Sequence, residues 1–253
     1  MKYAFWAQTA CCNPGNIDYV HNFLKDWEQP TLWLSFSKLW QDKDAIKRLA
    51  PLRRDGIRIE ALVGDKSWVI SPKTAQAQSL KTYVEWGHEH FDGIHFDVEP
   101  WATTTWRIGG YIEKQAMIRN YIALLGSLHA QAIDKPVTLS MVPQMAKIGL
   151  AGVEASSILA AMANSLALMI YNTKPHICRN QTANIETTKY VPFWSGFSVD
   201  AQKEPGQSYA GQTKANIIAA LERHKNEVVD QFPLCQGIAI NDLGALMEIW
   251  TKR

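Results

Sequence analysis

The chain has 253 residues, 47% of them hydrophobic and 20% charged. At this length one hydrophobic core still suffices, and a minimal eight-unit β/α barrel fits. Its 26 lysines and arginines stand against 24 aspartates and glutamates, a net charge of +2 that argues for neither nucleic acid nor an anionic membrane as partner. No run is long and apolar enough to span a bilayer, so no membrane association is expected.

Tyr3–Ala7 is short and aromatic and predicts a first strand. It is too short for a signal-peptide core, and Asn13-Pro14-Gly15 follows where a cleavage site would be. An intracellular protein is the simplest expectation; a trimmed exported chain would look the same, so the compartment stays open. From Asn16 to Trp27, residues Ile17, Val20, Phe23, Leu24 and Trp27 recur at helical spacing. Pro30 separates that helix from a strand over Thr31–Phe36, and Asp42–Leu52 supplies the next helix, with acidic residues at its favourable N-terminal end. Ile57–Val63 is a third strand, turned by Gly64-Asp65, and Ser71-Pro72 starts a helix that reaches about Glu89.

The fourth strand runs from Gly93 to Glu99, because Pro100 lacks a backbone donor and restricts its predecessor to extended geometry. A helix over Tyr111–Ala132 follows, then a strand over Val137–Val142 stopped by Pro143, and a helix over Ser156–Ala163. Leu166–Tyr171 and Tyr190–Trp194 are the sixth and seventh strands; Pro192 is awkward in the latter, since it removes a ladder donor. A helix over Thr213–Val229 and an eighth strand over Gly237–Asn241 complete the pattern.

Eight short apolar strands separated mostly by helices predict one α/β domain over 1-253, a (β/α)8 TIM barrel. A doubly wound open sheet is the alternative, but Cys12-Asn13-Pro14-Gly15 lacks the spacing of a dinucleotide loop. In a barrel, function sits in the loops leaving the strand C-termini, where Glu99, Trp101, Gln144, Asn172 and Asn241 fall. Ten tryptophans exceed what packing alone requires, so Trp6, Trp101 and Trp194 are candidates for stacking on sugar rings, with a buried structural ring as the default for each. Cys11, Cys12, Cys178 and Cys235 have neither Cys-x-x-Cys nor zinc spacing and read as thiols, a long-range disulfide from the N-terminal pair being the alternative.

A period of two sends His95, Asp97 and Glu99 to one face of the fourth strand and Ile94, Phe96 and Val98 to the other. Three ionisable side chains at a barrel mouth incur a large desolvation cost unless solvated or paired. Asp97 and Glu99 are close enough to couple, one staying protonated as an acid while the other is an anion, and His95 can hydrogen-bond Asp97. A supporting polar network and a divalent-metal site are the competing readings of the same residues.

Asp92-Gly93-Ile94-His95-Phe96-Asp97-Val98-Glu99 resembles the fourth-strand signature Asp-Gly-x-Asp-x-Asp-x-Glu of the glycoside hydrolase family 18 chitinases and endo-β-N-acetylglucosaminidases. Seven of its eight positions, counting the free ones, fit; His95 stands where those enzymes carry the middle Asp. Ala61–Asp65 with Trp68 resembles the family's third-strand Ser-x-Gly-Gly region, and Met169-Ile170-Tyr171-Asn172 its sixth-strand Met-x-Tyr-Asp motif. Asn241 occupies the place of the family's Trp floor.

The resemblance implies a glycosidase acting on β-linked N-acetylhexosamine oligo- or polysaccharides without metal or cofactor. Glu99 would be the general acid, the substrate's own 2-acetamido oxygen the nucleophile, Asp97 the group orienting the acetamide, and Tyr171 a donor to its oxygen. Asp92, His95 and Asn172 would support them, with Gln144 and Asn241 on the rim. The departures at His95 and Asn241 keep a chitinase-like glycan-binding protein with little turnover as the alternative. Hydrolysis of a sugar lacking the acetamide by a conventional carboxylate pair is a third reading. A metal-dependent deacetylase has only the partial ligand set His95 and Asp97.

Overall fold

The computed structural model describes residues 1–35, 42–70, 88–129, 135–203 and 206–251. The strands, in chain order, are β1 (Lys2–Ala7), β2 (Pro30–Ser35), β3 (Arg58–Val63), β4 (Gly93–Phe96), β5 (Val137–Met141), β6 (Gly149–Leu150), β7 (Val153–Glu154), β8 (Ser165–Leu168), β9 (Phe193–Ser198) and β10 (Cys235–Asn241). Among the described residues, eight of these close a parallel barrel, while β6 and β7 form a small antiparallel hairpin beside it. Closure is made by β1, which pairs with β2 through Phe5 opposite Leu32 and with β10 through Tyr3 opposite Ile238. The fold is the (β/α)8 TIM barrel.

The described helices are α1 (Ile17–Lys25), α2 (Lys43–Arg54), α3 (Thr104–Ile108), α4 (Tyr111–His129), α5 (Pro143–Ala146), α6 (Ala155–Ala160), α7 (Pro175–Ala183), α8 (Lys214–Glu227) and α9 (Leu243–Thr251). Their starts follow capping chemistry: the Asp42 carboxylate accepts from the amides of Asp44 and Ala45, and Thr213 Oγ1 accepts from Asn216. The outward residues of the strands, such as Phe5, Ile94, Phe96 and Leu139, join the helices in the main apolar core.

Inside the barrel a second apolar group forms from Ala4, Trp6, Trp33, Ala167, Trp194 and Ala239. The alanines leave room for indoles that meet edge-on, Trp6 to Trp33 at 4.5 Å and Trp33 to Trp194 at 5.8 Å between ring centroids. Such geometry adds about 0.5–1.5 kcal/mol per pair beyond area burial. Below this layer, at the N-terminal mouth, Glu60 accepts from Arg58 Nε at 2.8 Å and from the Thr138 hydroxyl at 3.1 Å, and Thr138 is bonded in turn to Ser165. Burial lifts the Glu60 carboxyl above its ordinary range, and the Arg58 charge opposes that.

Several strand ends differ from the sequence reading. The fourth ladder stops at Phe96 instead of Glu99, because its neighbour β3 ends at Val63 and offers one last carbonyl, which the Asp97 amide takes at 2.9 Å. The seventh strand is Phe193–Ser198, not Tyr190–Trp194. Pro192 precedes it, so the missing donor costs no ladder bond. Helices α7 and α9 were not foreseen, the expected helix over 71–89 lies mostly outside the described residues, and all four cysteines are free thiols.

Candidate active site

The β4 segment carries its inward side chains upward through the barrel, from His95 among the indoles to Asp97 and then Glu99 at the C-terminal mouth. Beyond the ladder, residues 97–99 belong to neither strand nor helix, and Pro100–Ala102 then turn once in a 3-10 helix. Thr103 fixes that turn, donating its hydroxyl to Pro100 O at 2.7 Å and accepting from the Trp106 amide at 3.0 Å. Gly64, just past β3, lies so close that a Cβ there would sit 2.3 Å from the Asp97 carbonyl oxygen. The bare glycine is what lets the β3 turn press against the Asp97 backbone.

Burial is the largest influence on both carboxyls. It raises Asp97 above the ordinary carboxylate range against a hydrogen bond from Ser140 and the charge of Lys203. Glu99 is lifted to about 7 by burial first and by the Asp97 charge second, while Lys203 and Lys66 pull it down. Two neighbouring carboxyls of this kind share their ionisation, so the pair takes up its first proton above the ordinary carboxylate range.

His95 does not pair with Asp97 as the sequence suggested. It is fully buried, its Nε2 is 2.8 Å from Ser140 Oγ, and its ring centroid lies 4.1 Å from that of Trp33 and 5.8 Å from that of Trp6. Burial in this cage lowers its pKa to about 3, so the imidazole is neutral and brings no positive charge to the site.

Tyr171 lies three residues past the end of β8. Its hydroxyl is buried and has no partner among the described residues, as is true of Asp97 Oδ1. Burial and then the charges of Asp97, Glu99 and Asp200 keep the phenol protonated well past its ordinary range. The Lys203 ammonium stands 5.2 Å from the Tyr171 ring centroid. Tyr121 of α4 is a further buried hydroxyl without a partner that feels the Asp97 charge.

The other expected residues divide by position. Trp101 lies two residues past Glu99, after Pro100, and is half-buried against the main core. Trp6 is 6% exposed, 6.5 Å from the Tyr171 ring, and forms part of the barrel floor. Asn241 ends β10, opposite Ser198 of β9. Asn172 is partly exposed, and its carboxamide oxygen accepts from the Lys174 amide at 2.9 Å in a local turn. Gln144 is exposed on α5, in a shallow hollow with Lys147, Gln181 and Asn184.

Two residues lie at the opposite mouth. Trp194 is second in β9 and borders the pocket of Thr31, Arg58, Glu60 and Thr138. Asp92 precedes β4, where its carboxylate accepts from the Ile59 amide at 2.9 Å and pairs with Arg53 at 2.9 Å. Ser140, Lys203, Lys66 and Tyr121 were missed by sequence reasoning. Ser140 had a signal, as a polar residue alternating with Leu139 and Met141 on the inward face of β5; the two lysines had none.

No protein-family profile and no curated protein matches the sequence. The fold does match solved structures. A family 18 glycoside hydrolase chitinase from Pseudoalteromonas aurantia superposes with a TM-score of 0.59 at 13% identity, over 95% of this chain and 93% of that one. The family 18 chitinase from Cycas revoluta in complex with (GlcNAc)3 gives 0.59 at 10% identity, over 97% and 96%. A variant of the glycoside hydrolase domain of PelA from Pseudomonas aeruginosa gives 0.57 at 12% identity, over 95% and 94%. The chain thus has the fold of these hydrolases across nearly its whole length.

Proposed function

We propose that this protein is a glycosidase that cleaves β-linked N-acetylhexosamine glycans by substrate-assisted, retaining hydrolysis. The observation that carries the reading is the union of three features at one mouth: a carboxyl lifted to about 7, an adjacent coupled carboxyl, and two buried polar atoms, Asp97 Oδ1 and Tyr171 Oη, that lack partners among the described residues. An unpaired buried acceptor and an unpaired buried donor are costly, and an acetamido group supplies the complement of each. Its N–H meets Asp97 and its carbonyl oxygen accepts from Tyr171.

In the reaction, protonated Glu99 gives its proton to the glycosidic oxygen as the bond to the anomeric carbon breaks. The acetamido oxygen attacks that carbon from the other side, and the positive charge of the resulting oxazolinium develops beside the Asp97 anion. Water, activated by the now ionised Glu99, opens the ring and restores the acid. The similarity of fold to chitinases, one of them complexed with (GlcNAc)3, supports an N-acetylglucosamine polymer as first substrate to try.

Release of reducing ends from chito-oligosaccharides, peptidoglycan fragments and N-glycans is the test, with Glu99→Gln alongside. Wild-type cleavage lost in Glu99→Gln with binding kept is the expected result. Asn241, which gives the end of β10 no aromatic ring, favours a second reading, that of a glycan-binding protein. Binding by both proteins with cleavage by neither selects it.

A further inference from the structure

The inward residue below Asp97 is a histidine in a site whose resemblance calls for a carboxylate, and its surroundings explain the exchange. The ring is fully buried, with its centroid 4.1 Å from that of Trp33 and 5.8 Å from that of Trp6. A second or third negative charge in that cage would lack both water and a counter-ion. A neutral imidazole is tolerated there and still offers one N–H.

Among the described residues that N–H has a single destination. The β4–β5 register sets His95 opposite Thr138, so Ser140 comes one inward step higher, level with Asp97. His95 Nε2 and Ser140 Oγ are 2.8 Å apart, and the Ser140 hydroxyl favours the ionised form of Asp97 beside it. Ser140 has one proton. When Asp97 is an anion it can only accept, so the hydroxyl proton goes to Asp97 and the remaining bond must run from His95 Nε2–H to Ser140 Oγ. Three groups and two protons then have one consistent arrangement.

We infer that His95 and Ser140 are positioning residues: the neutral imidazole holds the Ser140 hydroxyl, which lies level with Asp97, donates to that carboxylate when it is ionised and aims it into the site. This rests on the glycosidase reading for its kinetic consequence, but the relay itself does not. The other groups facing the pair are Glu99, Lys66, Lys203, Asp200, Tyr121 and Tyr171. None of them touches His95 within hydrogen-bond distance among the described residues.

Two readouts test it on the full chain, with Ser140→Ala, His95→Leu and His95→Gln. Nitrogen NMR of the imidazole, assigned by its loss in His95→Gln, is expected to show a neutral ring with the proton on Nε2 from about pH 8 to about pH 4. A ring charged above about pH 5, or one protonated on Nδ1, overturns the relay whether or not any glycan is cleaved. In kinetics, loss of a hydrogen bond to a charged group makes Asp97 take up its proton sooner. The acidic limb of kcat is expected to rise by about one pH unit in Ser140→Ala and His95→Leu, with KM changed less than kcat. His95→Gln, which keeps an N–H toward Ser140, restores the limb. An unmoved limb in both folded variants overturns the inference. If wild type cleaves nothing, the proposed function fails instead, and carbon NMR titration of Asp97 in the same variants reads the same shift.

Discussion

Glu99 stands two residues beyond Asp97 on the segment that continues β4, and the Asp97 charge adds to burial in holding the Glu99 proton to about pH 7. A general acid must carry its proton, so turnover should fall as pH rises through about 7. Asp97→Asn removes the neighbouring charge and lets the Glu99 value drop toward the ordinary carboxylate range. The alkaline limb of kcat should then move to lower pH, alongside the loss of rate from losing the anion. A limb that stays in place in Asp97→Asn means that burial alone sets the Glu99 proton.

Tyr171→Phe removes a hydroxyl that bonds nothing among the described residues, so the melting temperature should be unchanged or slightly raised. Turnover should drop by about a hundredfold, the scale for losing the placement of an attacking group, because the acetamido oxygen is no longer held in line. Thermal unfolding and kcat measured together separate these effects; a large fall in stability with normal kcat would remove Tyr171 from the chemistry.

Gly64→Ala places a methyl on the Asp97 backbone, at 2.3 Å from its carbonyl oxygen, and no flexible side-chain end is available to yield. The segment bearing Asp97 and Glu99 must shift, and a 1 Å misplacement of reacting groups costs about a hundredfold in rate. The expected result is a folded barrel by circular dichroism with kcat reduced by that order. Full activity would show that the β3 turn can retreat without disturbing β4.

His224 of α8 is fully buried, bonded to Ser195 at 2.8 Å, and burial lowers its pKa to about 4. The unfolded chain binds that proton near pH 6.5 and the folded one does not. The stability from a neutral His224 is thus complete above about 6.5 and is lost as pH falls toward 4, by about 1.4 kcal/mol per pH unit. Raised carboxyls such as Glu99 act with the opposite sign, so the comparison must be between wild type and His224→Gln. Urea denaturation from pH 7 to pH 4.5 should show the wild-type advantage shrinking; a constant difference would contradict it.

How far the sequence carried this reading depends on what fixes each residue. Alternation alone placed His95, Asp97 and Glu99 on one face, because the period of two holds whatever the neighbouring strands do. The partner of His95 was not legible, since Ser140 arrives from another strand through a register that no local pattern encodes. Trp194 shows how much a boundary matters. With a strand over 190–194 it ends at the active mouth; with Phe193–Ser198 it begins at the far one, although the residue and its inward direction are the same. Lys203 enters from a loop after β9, and nothing about an isolated lysine foretells the ring it covers.

The indole layer of Trp6, Trp33 and Trp194 is an apolar septum across the bore, with the Glu60 cluster on one side and the carboxyl pair on the other. Rings of this kind do not screen charge, because apolar material weakens a field less than water does. What they keep out is water, so carboxyls on both sides of the septum hold their protons more tightly than free ones do.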